Sequence, residues 1–434
     1  MQTVNNTIIE TSYPLDFRVD DAKKLGQHLK DRHSVMLVGM RRVGISNFLR
    51  FFLNHNDIKK TYIKDDKEHL FIPVDLNDLV EREIFPFWIL TLKRIEDAVK
   101  KTNLDEKVKK HIELLFLDSM QSQDLFLTMD GVRRALMQLV ENDILPTLFF
   151  LRFDRIKDAA TPVFFDNLEG LQEATNHKLM YVFTSYRDLH SLAPHVFTKT
   201  AMPVFSHNIY IKPTKLQDSR IIFQNYNNRY SLNLSESQKQ HLYEIVDGYV
   251  QYLQLALIIL HEGKPVQDKK TMFNILVKDE RIALQSEELW ESLTEDEKGA
   301  LLKLVQKMQL TSEEKEKAQY LWDTGFIATG NNTIFSPLFE HYVTEREELT
   351  NKNHIIEFTK KEHALFTFFK KNINDICERE RIIEAVWPEV EALGVSDWAI
   401  DRLIARVRSK LKAKKSNYEI QTIKTRGYKL IHTE

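Results

Sequence analysis

The stretch that decides the fold of the C-terminal part is residues 396–428, SDWAIDRLIARVRSKLKAKKSNYEIQTIKTRGY. Ser396 or Asp397 supplies a helix N-cap. Apolar residues then recur at steps of three and four, which predicts one buried helical stripe: Ile400, Leu403, Ile404, Val407 and Leu411. Alternation over residues 418–424 predicts a strand, and residues 425–427 predict the turn into a second strand.

Positive charge is concentrated in this stretch. Residues 398–429 contain ten Lys or Arg against two acidic residues, a net charge of +8, whereas the whole chain carries −2. Such a concentration is typical of a surface that meets nucleic acid. The alternative is a solvated helix with ordinary surface lysines. A basic helix followed by a basic hairpin is the outline of a winged helix-turn-helix, whose helix enters the major groove.

The C-terminal segment, residues 357–431, resembles the OmpR/PhoB-type winged-helix DNA-binding domain. Residues 358–362, FTKKE, are similar to the LTxxE entry of that family's first helix, and residues 379–387, RERIIEAVW, look like its second helix. Residues 404–411, IARVRSKL, look like its recognition helix, and the following hairpin looks like its wing. Only residues 354–358 are left for the family's small first sheet. No receiver domain with a phosphoacceptor aspartate precedes the segment, so we expect control by something other than a phosphorelay.

The resemblance also implies which residues meet DNA. The residues expected near base edges are Trp398, Arg402, Ala399 or Arg406. Contacts to phosphates or to the wing-side groove are expected from Arg408, Lys410, Lys424, Thr425 and Arg426. The predicted partner is double-stranded DNA. Sites of this family are commonly tandem repeats, so we also expect self-association on DNA.

Composition places the chain among globular proteins. It has 434 residues, enough for roughly two to four domains, with 43% hydrophobic and 29% charged residues. The single cysteine, Cys377, excludes an internal disulfide framework and fits a reducing cytosol. The N-terminus does not read as a signal peptide, and no apolar run is long enough for a membrane span. We therefore expect a cytoplasmic protein that does not contact membranes.

Near the N-terminus the sequence has a strand, a loop and a helix in succession. Residues 34–38, SVMLV, predict a buried strand, and residues 39–46, GMRRVGIS, have the spacing of a phosphate-binding loop before an apolar helix. Glycines in such a loop let backbone N–H groups surround phosphates, and the helix N-terminus adds positive potential. The predicted, degenerate nucleotide-site residues are Gly39, Arg41, Arg42, Gly44, Ser46 and Asp154.

Two positions argue against catalysis. The lysine that should follow Gly44 and reach the β- and γ-phosphates is Ile45. Asp154 ends a buried strand predicted at residues 146–153, where a magnesium-binding acid sits, but its neighbour is Arg155 and not a second acid. We therefore predict no enzyme activity and no catalytic residue. The sequence establishes no cofactor. One alternative is that the loop binds ATP or ADP, with Arg41 or Arg42 as a replacement cation; the other is that the fold has lost its nucleotide and serves as a scaffold or oligomerisation surface.

Further strands are predicted at residues 70–75, 179–185 and 207–211, with helices between them. This alternation predicts a parallel α/β sheet. Thr184 and Ser185 at the end of the strand 179–185, with Arg187 just after it, lie where a γ-phosphate sensor would be. Scattered histidines such as His111 and His190 do not have metal-ligand spacing, so we predict no metal site.

Residues 17–211 resemble the ATPase module of the STAND class. The resemblance is carried by the loop, by the strand that ends at Asp154 and by the strand that contains Thr184. The fold class predicted is an α/β P-loop NTPase-like parallel sheet, followed by a helical lid and two winged-helix (α+β) domains. The P-loop domain is predicted to span residues 1–212 and the helical lid residues 213–280. The two winged-helix domains are predicted at residues 281–345 and 352–434. The first winged helix is acidic, so we expect residues 215–345 to contact a protein partner.

The function predicted from all of this is a DNA-binding transcriptional regulator with a degenerate P-loop module for sensing or assembly. Two alternatives stay open. One is an ATP-hydrolysing STAND-type switch, and the other is a protein-assembly scaffold that does not bind DNA.

Overall fold

The computed structural model describes residues 8–192, 207–230, 232–263, 266, 268–351, 358–387, 397–413, 416–423 and 426–432. Only the backbone is described at positions 229, 348–351, 360, 397–399 and 412–413. The chain divides into two compact units, Met1–Glu347 and Glu348–Glu434. Each unit is described by itself.

The first unit is built on a five-stranded parallel sheet. Its strands are β1 (Val35–Val38), β2 (Glu68–Asp75), β3 (Ile144–Leu151), β4 (Met180–Ser185) and β5 (His207–Tyr210). They lie in the order β2-β3-β4-β1-β5, and every pairing is parallel. The parallel sheet predicted from the alternating pattern is confirmed. β3 ends before the predicted limit at residue 153, because Arg152 adopts a left-handed conformation with φ 59°.

Helices cover both faces of this sheet. They are α1 (Val19–Lys30), α2 (Ile45–Asn54), α3 (Ile84–Val99), α4 (Glu106–Ser122), α5 (Leu125–Glu141), α6 (Pro162–Ala174) and α7 (Leu189–Leu192). Successive side chains of a strand point to opposite faces. Leu37 of β1 accordingly joins the core that includes α1 and α2. Met36 and Val38 join a second core beneath α3, α5 and α6.

A run of helices follows the sheet. They are α8 (Leu216–Tyr230), α9 (Glu236–Val246), α10 (Val250–Glu262), α11 (Lys269–Lys278), α12 (Glu280–Glu291), α13 (Glu295–Val305), α14 (Ser312–Lys317), α15 (Gln319–Thr324) and α16 (Pro337–Asn351). One apolar core runs from Tyr13 to Val343 and joins these helices to the sheet. A wing was expected in this region. The part of it that the described residues show is one antiparallel bridge, between Ile327 and Ile334. The boundaries drawn at residues 212, 280 and 345 stay predictions.

The second unit is a small α+β fold. It contains α17 (Lys360–Lys371), β6 (Ile376–Cys377), α18 (Arg379–Val386), α19 (Asp397–Ala413), β7 (Tyr418–Ile423) and β8 (Gly427–His432). The strands form an antiparallel sheet in the order β6-β8-β7. The apolar stripe predicted on α19 is confirmed, since all its members are buried: Ile400, Leu403, Ile404, Val407 and Leu411. This is the winged helix that the sequence predicted.

One glycine, Gly427, allows the start of β8 to lie against the backbone of β6. Gly427 has φ 127°, a conformation that side-chain-bearing residues rarely adopt. A Cβ atom there would lie 2.2 Å from the carbonyl oxygen of Cys377. The wing therefore packs directly on the β6 backbone. Within the part of the chain that the structure describes, no helix is both long and apolar enough to cross a membrane.

A buried ion pair connects the carboxyl end of β4 with α13. Arg187 donates to both carboxylate oxygens of Glu297, each at 2.6 Å, and to the Ser292 carbonyl oxygen at 2.6 Å. Its guanidinium also lies 3.8 Å from the centre of the Tyr320 ring. The sequence placed Arg187 among the γ-phosphate sensors. The structure instead uses its guanidinium to hold the helical region against the sheet.

We expect Arg187→Gln to lower the free energy of unfolding by about 3 kcal/mol, because Glu297 would be left as a buried charge without its cation. Urea unfolding of the full chain measures this change. The control is Glu295→Gln, which breaks an exposed ion pair with Lys298 on the same helix and should leave the unfolding midpoint unchanged. Equal effects of the two substitutions would contradict the role given to Arg187.

Candidate functional sites

The loop between β1 and α2 has the backbone that its glycines allow. Gly44 has φ 110°, and a Cβ atom there would lie 2.7 Å from Cγ2 of Val250 on α10. A Cβ atom on Gly39 would lie 2.6 Å from the carbonyl oxygen of Ile211. Neither position accepts a side chain without displacement of its neighbours. The loop thus passes closely between α10 and the segment after β5, and it leads into the N-terminus of α2.

Hydrogen bonds from two directions hold this loop. The Tyr249 hydroxyl donates to the carbonyl oxygen of Arg41 at 2.5 Å, and Gln285 donates to that hydroxyl at 3.0 Å. From the other side, Arg18 donates to the carbonyl oxygen of Val43 at 3.3 Å. Loop carbonyl groups are therefore held by side chains of the helical region and of the N-terminal segment.

A cavity of about 660 Å³ opens above the loop. All six residues predicted for a nucleotide site line it: Gly39, Arg41, Arg42, Gly44, Ser46 and Asp154. Thr184 and Ser185 at the end of β4 line it as well. The volume lies within the range of sites for small molecules and cofactors. The structure thus brings together residues from three separate parts of the sequence: the loop, the turn that holds Asp154, and the end of β4.

Five arginines line this cavity: Arg41, Arg42, Arg50, Arg152 and Arg155. The sequence pointed to only the first two as cations. Arg155 was noted only because it replaces an acid, and nothing in the spacing singled out Arg50 of α2. The acidic residues of the lining are Asp154 and Glu288. Positive charge therefore predominates at the loop.

Each of these arginines has a defined contact. Arg42 donates to Glu288 at 2.9 Å, and Arg50 lies 2.6 Å from Glu10. Arg152 pairs with Asp75, and Arg155 donates to Asn77 at 2.7 Å. The Arg41 guanidinium lies 3.8 Å from the centre of the Tyr186 ring. The guanidinium groups are thereby held in place around the cavity.

Asp154 lies in a short helical turn directly after β3. Burial raises the pKa of its carboxyl group, and the charges of Arg41, Arg155 and Arg152 oppose that shift. Among the described residues, no three His, Cys, Asp or Glu side chains are grouped so that they could hold a metal ion.

In the second unit, three residues predicted to meet DNA make contacts inside the domain. Arg408 donates to the carbonyl oxygen of Ile420 at 2.7 Å and to the Thr422 hydroxyl at 2.8 Å. Lys410 donates to Glu362 at 2.6 Å, and Arg406 lies 3.7 Å from the same carboxylate. These contacts fix α19 against β7 and α17, and the charges of Lys410 and Arg406 meet a buried carboxylate of the domain itself.

The other predicted DNA contacts are placed differently. Arg426 is exposed in the turn before β8. Arg402 is half-buried, and its Nε and Nη2 atoms have no hydrogen-bond partner among the described residues. Only the backbone of Trp398 is described, within α19, and Lys424 and Thr425 lie outside the described residues. The DNA-contact assignments stay predictions.

A polar cluster at the start of α19 was not predicted. Arg379 of α18 lies 2.7 Å from Asp401, and the Tyr428 hydroxyl donates to the same carboxylate. Burial, with the Asp401 charge as a further cause, raises the pKa of Tyr428 to about 12. Hydrophobic spacing could not reveal this cluster, because its members come from three elements and their polar groups meet only after folding.

Glu362 has two roles at the start of α17. It completes a capping box, in which Thr359 N–H donates to its carboxylate at 2.7 Å. It also receives Lys410 from α19. Burial alone would raise the pKa of Glu362, but Lys410, the Thr359 N–H and Arg406 hold it below the usual value. The charged form is therefore the one that the fold stabilises.

Comparison with known proteins identifies the second unit. Residues 352–430 match the family model described as "Transcriptional regulatory protein, C terminal". This match confirms the OmpR/PhoB-type winged-helix domain that the sequence motifs predicted. No curated protein sequence matches the chain.

Solved structures similar to the chain include two archaeal proteins. One is the Walker-type ATPase PABY2304 of Pyrococcus abyssi, with 16% identity, a TM-score of 0.47, and coverage of 75% of this chain and 95% of that chain. The other is the Aeropyrum pernix ORC2 protein, with 15% identity, a TM-score of 0.47, and coverage of 94% and 98%. The P-loop NTPase-like fold of the first unit rests on the strand order and the loop described above.

We expect Lys410→Met to lower the free energy of unfolding of residues 348–434 by roughly 2 kcal/mol at pH 7. Because the pKa of Glu362 is lowered in the folded state, the pair stabilises the fold above the unfolded-state pKa. That contribution is lost as the pH falls through the lowered pKa, so the difference between the two proteins should be smaller at pH 3 than at pH 7. Urea unfolding followed by circular dichroism at both pH values measures this.

The control is Lys371→Met, which removes an exposed lysine at the end of α17 and should have little effect at either pH. A loss that is the same at pH 7 and pH 3 would show that Lys410 acts through packing and not through its charge.

Proposed function

We propose that this chain is a DNA-binding transcriptional regulator whose P-loop-type unit does not hydrolyse nucleotide. The observation that carries the proposal is the match of residues 352–430 to the transcriptional-regulator family, in a segment that has a recognition helix and a wing. The net charge of +8 over residues 398–429 supports DNA as the partner.

The surface of α19 is suited to a major groove. Asp401, Ala405 and Ser409 are exposed and lie one turn apart along the outward face. Since Ala405 and Ser409 are small, they allow the helix backbone to come close to base edges. Arg402 and Arg406 border this face on one side, and Arg408 borders it on the other. Arg406 and Arg408 are engaged inside the domain, so Arg402 is the arginine of this face best placed to read a base or clamp a phosphate.

Absence of hydrolysis is proposed from the loop and the strand end. Ile45 stands where a lysine would neutralise the β- and γ-phosphates, and Arg155 stands where a second acid would help to position water. Self-association on DNA and a cytoplasmic location are part of the proposal, as the family resemblance implies. A cleft of about 590 Å³, which includes Asp296, Glu316 and Asp323 together with three cations, lies between residues 157–210 and 292–323 and supports a protein partner there.

We expect Arg426→Ala to weaken binding to all DNA sequences alike, because an exposed wing arginine contacts phosphate and not a base edge. The slope of log K against log salt should fall by about 0.9, the contribution of one phosphate contact. Fluorescence anisotropy of the full chain on labelled duplexes at several salt concentrations measures both effects.

Arg134→Ala, an exposed arginine on α5 of the first unit, is the matched control and should leave affinity and slope unchanged. An unaltered slope for Arg426→Ala would contradict the phosphate contact. Failure of the intact chain to bind any duplex in a salt-dependent manner would favour the assembly scaffold instead.

An ATP-hydrolysing switch is the second candidate function. Arg41 favours it, because this arginine lines the same cavity as Asp154 and could replace the missing lysine. We expect no steady release of phosphate from ATP by the full chain, with or without DNA. Phosphate release that disappears in Asp154→Ala, while Asp158→Ala, an exposed acid outside the cavity lining, retains it, would establish the switch and overturn our proposal.

A further inference from the structure

A P-loop fold implies a magnesium ion, held by a loop hydroxyl and a carboxylate at a strand end. In this chain those groups are Ser46 and Asp154, and both line the cavity. The surroundings of Asp154 do not fit a divalent cation. In the turn after β3, Arg155 follows Asp154 directly and Arg152 precedes it by two residues. Arg41 acts on the same carboxylate electrostatically from the loop. The charges of three arginines therefore act on the carboxylate that magnesium would need.

The remaining acid of the lining does not change this balance. Glu288 accepts a hydrogen bond from Arg42 at 2.9 Å, so its charge is compensated. Glu10 and Asp75, outside the lining, likewise pair with Arg50 and Arg152. The five arginines of the cavity therefore stand against four carboxylates, an excess of one positive charge that Arg41 and Arg155 carry beside Asp154. A region with this excess of fixed positive charge repels a dication and attracts an anion.

The geometry of the arginines suits phosphate oxygens. Arg155 is anchored by its hydrogen bond to Asn77, and its buried Nε has no hydrogen-bond partner among the described residues. Stacking on Tyr186 holds the planar guanidinium of Arg41 at the cavity edge. A planar fork of N–H groups matches the oxygens of a phosphate in pairs. The left-handed turn at Gly44 and the N-terminus of α2 add backbone N–H groups on the same side.

The rest of the lining fits a nucleoside. Tyr226, Gln251 and Gln254 come from the helical region and supply an aromatic ring and two side-chain amides. A volume of about 660 Å³ accommodates a molecule of nucleotide size.

We propose that the cavity binds a nucleoside polyphosphate directly, without magnesium, and that its arginines replace both the loop lysine and the metal ion. This inference rests on the proposed function in one respect, namely that the module does not hydrolyse nucleotide. Arg155 stands where a catalytic site would have an acid. The same replacement argues against catalysis and for binding without the metal.

Calorimetric titration of the full chain with ATP and with ADP, in EDTA and in excess magnesium, tests the proposal. We expect micromolar binding in EDTA and binding at least threefold weaker in magnesium, because the metal neutralises part of the charge that the arginines recognise. Tighter binding in magnesium would overturn the proposal. So would the absence of measurable heat up to millimolar ATP and ADP in both buffers.

The arginines are tested by substitution. Arg155→Gln should weaken binding in EDTA by roughly tenfold, the usual effect of one lost charged hydrogen bond. Arg134→Gln, on α5 outside the cavity lining, is the matched control and should bind like the unaltered chain. Arg50→Gln, which alters a half-exposed side chain of the cavity, provides a second variant if Arg155→Gln does not fold. Wild-type affinity in a folded cavity variant would overturn the assignment to the arginines.

The outcomes separate this inference from the proposed function. Phosphate release measured in the same samples would show hydrolysis, which contradicts the proposed function whatever the effect of magnesium on affinity. Loss of nucleotide binding, with salt-dependent DNA binding retained, would overturn the inference alone.

Discussion

In both units, the glutamate of a capping box receives a cation from a distant element, and the packing of each unit depends on that contact. Thr294 N–H donates to Glu297 at 2.8 Å, and the same carboxylate binds Arg187 from the end of β4. Thr359 and Glu362 form the equivalent box in the second unit, with Lys410 of α19 as the cation. One carboxylate therefore fixes where a helix begins and what that helix packs against. Because both carboxylates are buried, neither contact tolerates the loss of its cation.

The consequences differ between the units. In the first, the Arg187 contact helps to place the helical region, which contributes Val250, Gln251 and Glu288 to the wall of the loop cavity. In the second, the Lys410 contact holds α19 against the start of α17. The Arg187 contact lies outside the loop cavity, whereas Lys410 is itself one of the residues predicted to meet DNA.

Much of this architecture could be predicted from hydrophobic spacing. The buried strand before the loop, the stripe on α19 and the hairpin after it all follow from local periodicity, which depends only on neighbouring residues. The six residues predicted for the loop site, which line one cavity, came from a different signal: the glycine spacing of the loop and an acid at a strand end. The roles of Arg187, Arg50 and Arg379 could not be predicted, since a long cation reaches partners that the sequence does not bring near. Spacing shows that such a residue is charged, but only the fold shows which carboxylate it meets.

The contact between Gly427 and the carbonyl oxygen of Cys377 has a practical consequence. The thiol of Cys377 is buried beneath the same strand, and burial raises its pKa, so it reacts slowly while the domain is closed. Since the chain contains a single cysteine, this thiol is a built-in chemical probe of the wing. Its rate of alkylation would report how often the sheet of the second unit opens, without any engineered label.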